Sequence, residues 1–245
     1  MRKDAFFLGE RMKKIKINTV VSYLFAWILL AFGTAMQSHG GFGMSNIVTP
    51  AYVAHAYISQ FLSFYTFGTA EYVSQIIVLI ATMIIVRRVK ASYLLSLPVA
   101  IIYGFILDGA VAVVSLLPTV LAARIIIYII GMLLCCAGVA LLFGNNLPLA
   151  SHELIVKEVA EKFNLPVHKM KIAYDLGCLT LAVTASLLLF GKLVGIGIGT
   201  VVGAFAYGPI IHLFQRIYDK LFIFEEPQKL KLYRRKKHGE PENKA

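Results

Sequence analysis

Hydrophobic positions in this chain come in long unbroken runs, without the two-residue alternation of a half-buried strand or the three-to-four spacing of a half-buried helix. Six runs can be drawn, at residues 18–37, 72–87, 93–114, 123–143, 173–190 and 193–214. Crossing a hydrocarbon core of about 30 Å takes about 20 residues of α-helix. Lipid offers backbone groups no hydrogen-bonding partner, so spans of this kind must be helical. The predicted fold class is all-α, a polytopic membrane protein with six transmembrane helices. The second run is the shortest. Arg87 and Arg88 extend it by laying their aliphatic stems along the core and their guanidinium groups among the headgroups.

Composition excludes the soluble alternative. Of the 245 residues, 58% are hydrophobic and 15% charged, whereas a soluble domain carries about 25% charged residues to cover its surface. The net charge of +11 would suggest nucleic acid in a soluble protein. Here the cations sit in residues 1–16, at Arg87, Arg88 and Lys90, between residues 144 and 173, and after Arg216, while residues 17–86 and 91–123 hold none. That distribution is a topology signal with anionic-lipid contact, not a nucleic-acid surface. With the N-terminus in the cytoplasm and one crossing per span, all but Arg124 and Lys192 of the 24 Lys and Arg residues fall inside. Both termini are then cytoplasmic, in a bacterial cytoplasmic membrane. The first span has a basic flank like a signal peptide but is longer than a usual h-region, and is read as retained.

Two segments between spans carry their own pattern. Residues 152–163 place Leu154, Ile155, Val159 and Phe163 on one face, with Glu153–Lys157 and Glu158–Lys162 as i,i+4 pairs on the other. This predicts an amphipathic helix on the cytoplasmic surface, closed by Pro166. Residues 50–66, with Thr49 as N-cap and Pro50 at the first helical position, carry Tyr52, Tyr57, Phe61, Phe64 and Tyr65. Aromatic density of that kind fits an interfacial or re-entrant helix.

An internal similarity recurs at an offset of about 100 residues. Phe42-Gly43 followed by Ser45 and Asn46 corresponds to Phe143-Gly144 followed by Asn145 and Asn146; Gln75 corresponds to Asp175, and Tyr103-Gly104 to Tyr207-Gly208. Small residues recur every fourth position in the third span (Ser92, Ser96, Ala100, Gly104) and near the sixth (Gly191, Gly195, Gly199, Gly203). Three crossings per half make the second half inverted. The organisation predicted is a basic N-terminus (1–17), two three-helix repeats (18–118 and 119–215) and a basic tail (216–245). Each repeat carries one amphipathic or re-entrant helix, and the small-residue stripes of the third and sixth helices meet near the pseudo-two-fold axis.

Gly41-Phe42-Gly43-Met44-Ser45, Phe67-Gly68-Thr69-Ala70, and Leu165-Pro166 through Lys171-Ile172-Ala173-Tyr174-Asp175 resemble the YczE/YitT-like family of bacterial integral membrane proteins. That family usually carries Pro-Trp after its glycine-rich turn, where this chain has Asn46-Ile47. It has no settled biochemical activity, so the resemblance implies a fold and leaves the substrate open.

Intramembrane polar residues are the candidates for chemistry. Asp108 is read as an ion or proton site, as a helix-end residue in the headgroups, or as a partner for Arg124; His212 stands opposite it in the repeat. Asp175 lines a cytoplasmic entrance or pairs with Lys171. Ser45 and Asn46, with Asn145 and Asn146, break the helices at matching places, as a midplane substrate site would require; an ordinary loop is the other reading. Gln75 completes the ion or substrate pathway candidates. Cys135, Cys136 and Cys178 form no metal or disulfide pattern. No enzyme motif is present, and no cofactor, metal or nucleic acid is expected. The function predicted is a small secondary transporter or permease for a small molecule or ion. The alternatives are a non-transporting partner of another membrane protein, acting through residues 229–237 or the 152–163 helix, or the binding subunit of a larger transporter. Its partners are the bilayer and a second copy or another membrane protein.

Overall fold

A computed structural model of the chain describes residues 15–88, 91–144 and 150–225. The helices are α1 (Thr19–Gly40), α2 (Thr49–Ile58), α3 (Phe67–Val86), α4 (Ala91–Val114), α5 (Leu121–Gly144), α6 (Ser151–Lys162), α7 (Val167–Phe190) and α8 (Ile198–Leu221). All except α2 and α6 are long and apolar enough to span a bilayer, and their outward positions, such as Ile84, Phe105, Leu188 and Phe205, are exposed hydrophobics. The molecule is an all-α polytopic membrane protein. A pair of short parallel strands, β1 (Ile15–Asn18) and β2 (Phe222–Glu225), precedes α1 and follows α8. The start of the first span and the end of the last therefore lie at the same end of the bundle, as an even number of crossings requires.

Local chemistry fixes the helix ends. Asn18 accepts from the Val20 N–H at 2.9 Å to open α1, and Gly41, at φ 72°, closes it in the left-handed conformation. The Thr66 hydroxyl accepts from Thr69 N at 3.1 Å, so α3 begins five residues earlier than the apolar run suggests. Thr49 does not cap α2. It is the first helical residue, and its hydroxyl donates to the Ser45 carbonyl at 2.8 Å.

The largest interface joins α1 and α5, which run antiparallel. Along it Arg124 meets Gly40, Gly131 meets Gly33, and Gly138 meets Ala26. A Cβ on Gly33 would lie 2.6 Å from the Cys135 sulfur and 2.7 Å from the Gly131 carbonyl oxygen, so both glycines are required by close approach of two backbones. The remaining interfaces fall into correspondences between the halves: α1 packs on α4 as α5 packs on α8, α2 on α3 as α6 on α7, and α3 on α6 as α7 on α2. One correspondence is broken. α3 packs extensively on α4, whereas α7 and α8 share at most isolated contacts among the described residues.

Two expectations about packing are corrected. The third and sixth spans, α4 and α8, form no substantial contact among the described residues; the largest interface is that of α1 with α5. The reason is where the small residues lie. Gly104 packs on the Gly68 backbone of α3, beside buried Ser96 and Ala100 of the same helix. Ser92 has a side chain outside the described set. The sixth span starts at Ile198, not 193, so Gly191 caps α7 and Gly195 is in the connection, facing Tyr52. Gly199 faces Tyr128, and Gly203 lies against Tyr207 of its own helix.

The second correction concerns α6. It does not lie on a surface: Leu154, Ile155, Val156, Val159 and Ala160 are buried, packed with Val78, Leu79 and Val86 of α3 and with Met170 and Tyr174 of α7. It runs alongside α3, from His152 next to Glu71 to Lys162, whose ammonium donates to the Ile85 carbonyl at 2.5 Å. Lys162 thereby caps α3. The short α2 lies along α7 in the same manner, ending with Tyr57 edge-on to Phe190.

Candidate functional site

The two short helices start at a common place. Ser45, Asn46, Ile47 and Val48 before α2, and Ala150, His152 and Glu153 at the start of α6, line one cavity of about 310 Å³. This is at the small end of the range for small-molecule sites, about 300–1,000 Å³. Its other walls come from α1 (Trp27, Thr34), α3 (Glu71, Gln75), α4 (Tyr103), α5 (Cys135, Phe143), α7 (Lys171, Ile172, Asp175) and α8 (Gly203, Tyr207, Gly208). Among the described residues no side chain caps the N-terminus of α2 or of α6. Both helices thus begin, positive dipole end first, beside residues that line the cavity.

The turn that leads into α2 is held by α8. Gly199 N, at the start of α8, donates to the Phe42 carbonyl at 2.7 Å, and Met44 N donates to Gly195 O at 3.2 Å and to the Thr200 hydroxyl at 3.1 Å. Gly43 has φ 114°, and a Cβ there would lie 2.3 Å from the Thr200 hydroxyl oxygen. Gly43 thus allows the chain to cross the end of α8 closely enough for the Phe42 carbonyl to accept from the Gly199 N–H.

The polar core of the site is Glu71 with His152. Their side chains are 2% and 6% exposed, and Oε1 of Glu71 lies 3.7 Å from Nε2 of His152. Gln75 donates to Glu71 Oε1 at 3.4 Å, and His152 Nδ1 shares a 2.6 Å hydrogen bond with the Tyr174 hydroxyl. Among the described residues neither Glu71 Oε2 nor His152 Nε2 has a hydrogen-bond partner. Behind them a chain of contacts crosses the bundle. Tyr207 donates to Gln37 Oε1 at 2.7 Å, Gln37 donates to the Cys135 sulfur at 3.2 Å, and Thr34 contacts Tyr103 at 3.4 Å. Replacing the α1–α5 midline with hydrocarbon alone would lose these ties between α1, α4, α5 and α8.

Several sequence candidates fall in this site and others do not. Ser45, Asn46, Gln75 and Asp175 line the cavity. Gln75 and Asp175 occupy matching positions on α3 and α7: Glu71 and Gln75 are joined by the hydrogen bond above, and Lys171 and Asp175 by a 3.0 Å salt bridge. Asn145 and Asn146 lie outside the described residues. His212 is exposed and lines a separate cleft with Gln215, Arg216 and Asp219.

Asp108 is elsewhere too. Its Oδ2 accepts from the Thr66 hydroxyl at 2.6 Å and its Oδ1 from Gly68 N at 2.7 Å, so it caps α3. Arg124 does not pair with it. The Arg124 guanidinium donates from Nε to the Gly40 carbonyl at 2.9 Å and stands over the Phe42 ring. Asp108→Ala is expected to cost about 1–2 kcal/mol of stability through the lost cap, read as a lower unfolding midpoint, with ligand binding in the cavity unchanged. A loss of binding in a folded Asp108→Ala protein would contradict this assignment.

Glu71 and His152 escape the sequence reading. The signal for Glu71 was available: it is the one acidic residue between Glu10 and Asp108. Drawing the second span from residue 72 leaves Glu71 in a loop, whereas the Thr66 and Asp108 caps place it inside α3.

These features define a polytopic helical membrane protein with a largely apolar cavity, carrying a few buried polar groups, built where two short helices begin. The chain belongs to a protein family of unknown function, DUF6198, whose model matches residues 17–216. No curated protein and no solved structure matches it.

Proposed function

We propose that the protein is a small secondary transporter or permease whose substrate occupies the central cavity, and that no catalytic step takes place there. The observation that carries this reading is the pair of short helices, α2 and α6, which start at one cavity from opposite halves of the chain, with the buried and, among the described residues, incompletely partnered pair of Glu71 (α3) and His152 (α6) in its wall. Short half-helices with exposed N-termini at the repeat interface are how inverted-repeat transporters build midplane sites. The corresponding interfaces of the two halves support an inverted repeat. The kinship with YczE/YitT-like proteins belongs to the same proposal, as does the orientation, with the Arg87–Arg88 end of the bundle in the cytoplasm.

The partner-protein reading is weakened on one side, because the apolar face of α6 is already covered by α3 and α7. The test is uptake by purified protein in liposomes over a panel of small amines, amino acids, sugars and carboxylates. Accumulation of at least one solute is expected, reduced to the protein-free level by His152→Leu with the fold intact. Neither uptake nor ligand-induced thermal stabilisation across the panel would remove the transport reading.

A further inference from the structure

The cavity wall is unbalanced in charge. Among the described residues it holds three carboxylates, Glu71, Glu153 and Asp175, against one ammonium, Lys171, and one imidazole, His152. Lys171 is already committed to Asp175 at 3.0 Å on the same helix. Among the described lining residues, His152 is then the one basic group left for Glu71 and Glu153. If the imidazole is neutral, two carboxylates are uncompensated; if it is protonated, one still is. The 3.7 Å separation and the orphan Nε2 mean that His152 does not hydrogen-bond Glu71 in either case.

The remaining titratable groups do not supply a cation. Tyr174 from α7 is engaged with His152 Nδ1. Tyr103 from α4, Cys135 from α5 and Tyr207 from α8 are neutral donors tied into the contacts of Thr34 and Gln37. On the α1 side the wall is Trp27, whose ring packs 5.1 Å from that of Tyr103. A buried carboxylate with one oxygen free, beside aromatic rings, is a receptor for a cation that carries N–H donors.

We infer that the cavity takes a small organic ammonium ion at Glu71, with an N–H of the cation donating to the free Oε2 of the carboxylate. This rests on the transport reading and names its substrate class.

The test uses three ligands of one shape and different charge, benzylammonium, benzyl alcohol and benzoate, with the purified full chain in detergent. Binding is measured by calorimetry at pH 7. Benzylammonium is expected to bind, benzyl alcohol at least about tenfold more weakly, and benzoate not measurably. Glu71→Gln, nearly isosteric, is expected to lower benzylammonium affinity by about tenfold or more. If that variant does not fold, the three-ligand series on the native chain decides alone. Absence of benzylammonium binding, or equal binding of benzyl alcohol or benzoate, would overturn the proposal. Uptake of only neutral or anionic solutes in liposomes would overturn it while leaving transport standing. Benzylammonium binding without uptake of any solute would keep the site and remove transport.

Discussion

Replacing Gly33 with leucine is expected to lower the thermal unfolding midpoint in detergent by on the order of 10 °C, corresponding to about 3 kcal/mol or more. A first side-chain atom there would already sit 2.6 Å from the Cys135 sulfur, 2.7 Å from the Cys135 backbone nitrogen and 2.7 Å from the Gly131 carbonyl oxygen. Two of those three neighbours are backbone, so they yield only if α1 and α5 part. In a bilayer, parting them gives up dispersion contacts that no hydrophobic effect replaces, because lipid solvates apolar side chains as well as protein does. The damage would also reach the Gln37–Cys135 and Gln37–Tyr207 hydrogen bonds, on the same stretch of α1. The matched control is Gly177→Leu on α7, where a Cβ meets nothing within 4 Å. It should leave the midpoint unchanged or raise it slightly, since leucine is the better helix former. Equal shifts for the two variants would mean that the α1–α5 crossing is not the structural centre.

The contrast between these glycines shows what was legible in the sequence. Uninterrupted apolar runs placed all six spans, because lipid imposes one demand, backbone self-satisfaction over a fixed length, that needs no knowledge of neighbours. What could not be read was which small residues face a partner. The stripe in and before α8 had the spacing of a packing face, yet Gly191 and Gly195 serve turns and the operative glycines are Gly33, Gly131 and Gly138. Spacing reports that an approach is allowed, and only the tertiary arrangement says where it occurs.

The site was legible in part for a similar reason. Ser45, Asn46, Gln75 and Asp175 could be named as polar interruptions of apolar sequence, and the structure brings them to one cavity. Asp108 had the stronger sequence signal, a lone charge in an apolar stretch, and its role is to cap α3. α6 reads as a surface helix because its charges alternate with apolar residues at helical spacing. That pattern equally fits a helix inserted beside two others with its first turn on a polar cavity and its last at an interface.

The broken correspondence between the halves leads to a second large effect, under the transport reading. In the first half, α3 closes on α4 with Tyr72 near Gly104: a Cβ on Gly104 would lie 2.9 Å from Cδ1 of the Tyr72 ring. The matching positions in the second half are Ile172 and Gly208, and both instead line the cavity. Where two inverted halves take turns at closing, the alternate state has α7 packed on α8 and α3 parted from α4. Ile172→Cys with Gly208→Cys, in a Cys178→Ser background, is therefore expected to form a disulfide on oxidation, since the Cα atoms must come within about 7 Å. Gly208 has nothing within 4 Å of a built Cβ, so the cysteine adds no strain of its own. Oxidation should cut uptake by an order of magnitude or more by filling the cavity with the α7–α8 contact. A reductant should restore it, and uptake by either single cysteine should not respond to the oxidant. Failure of the pair to cross-link in membranes under turnover would show that α7 and α8 stay apart, leaving a fixed cavity and a binding protein in place of a transporter.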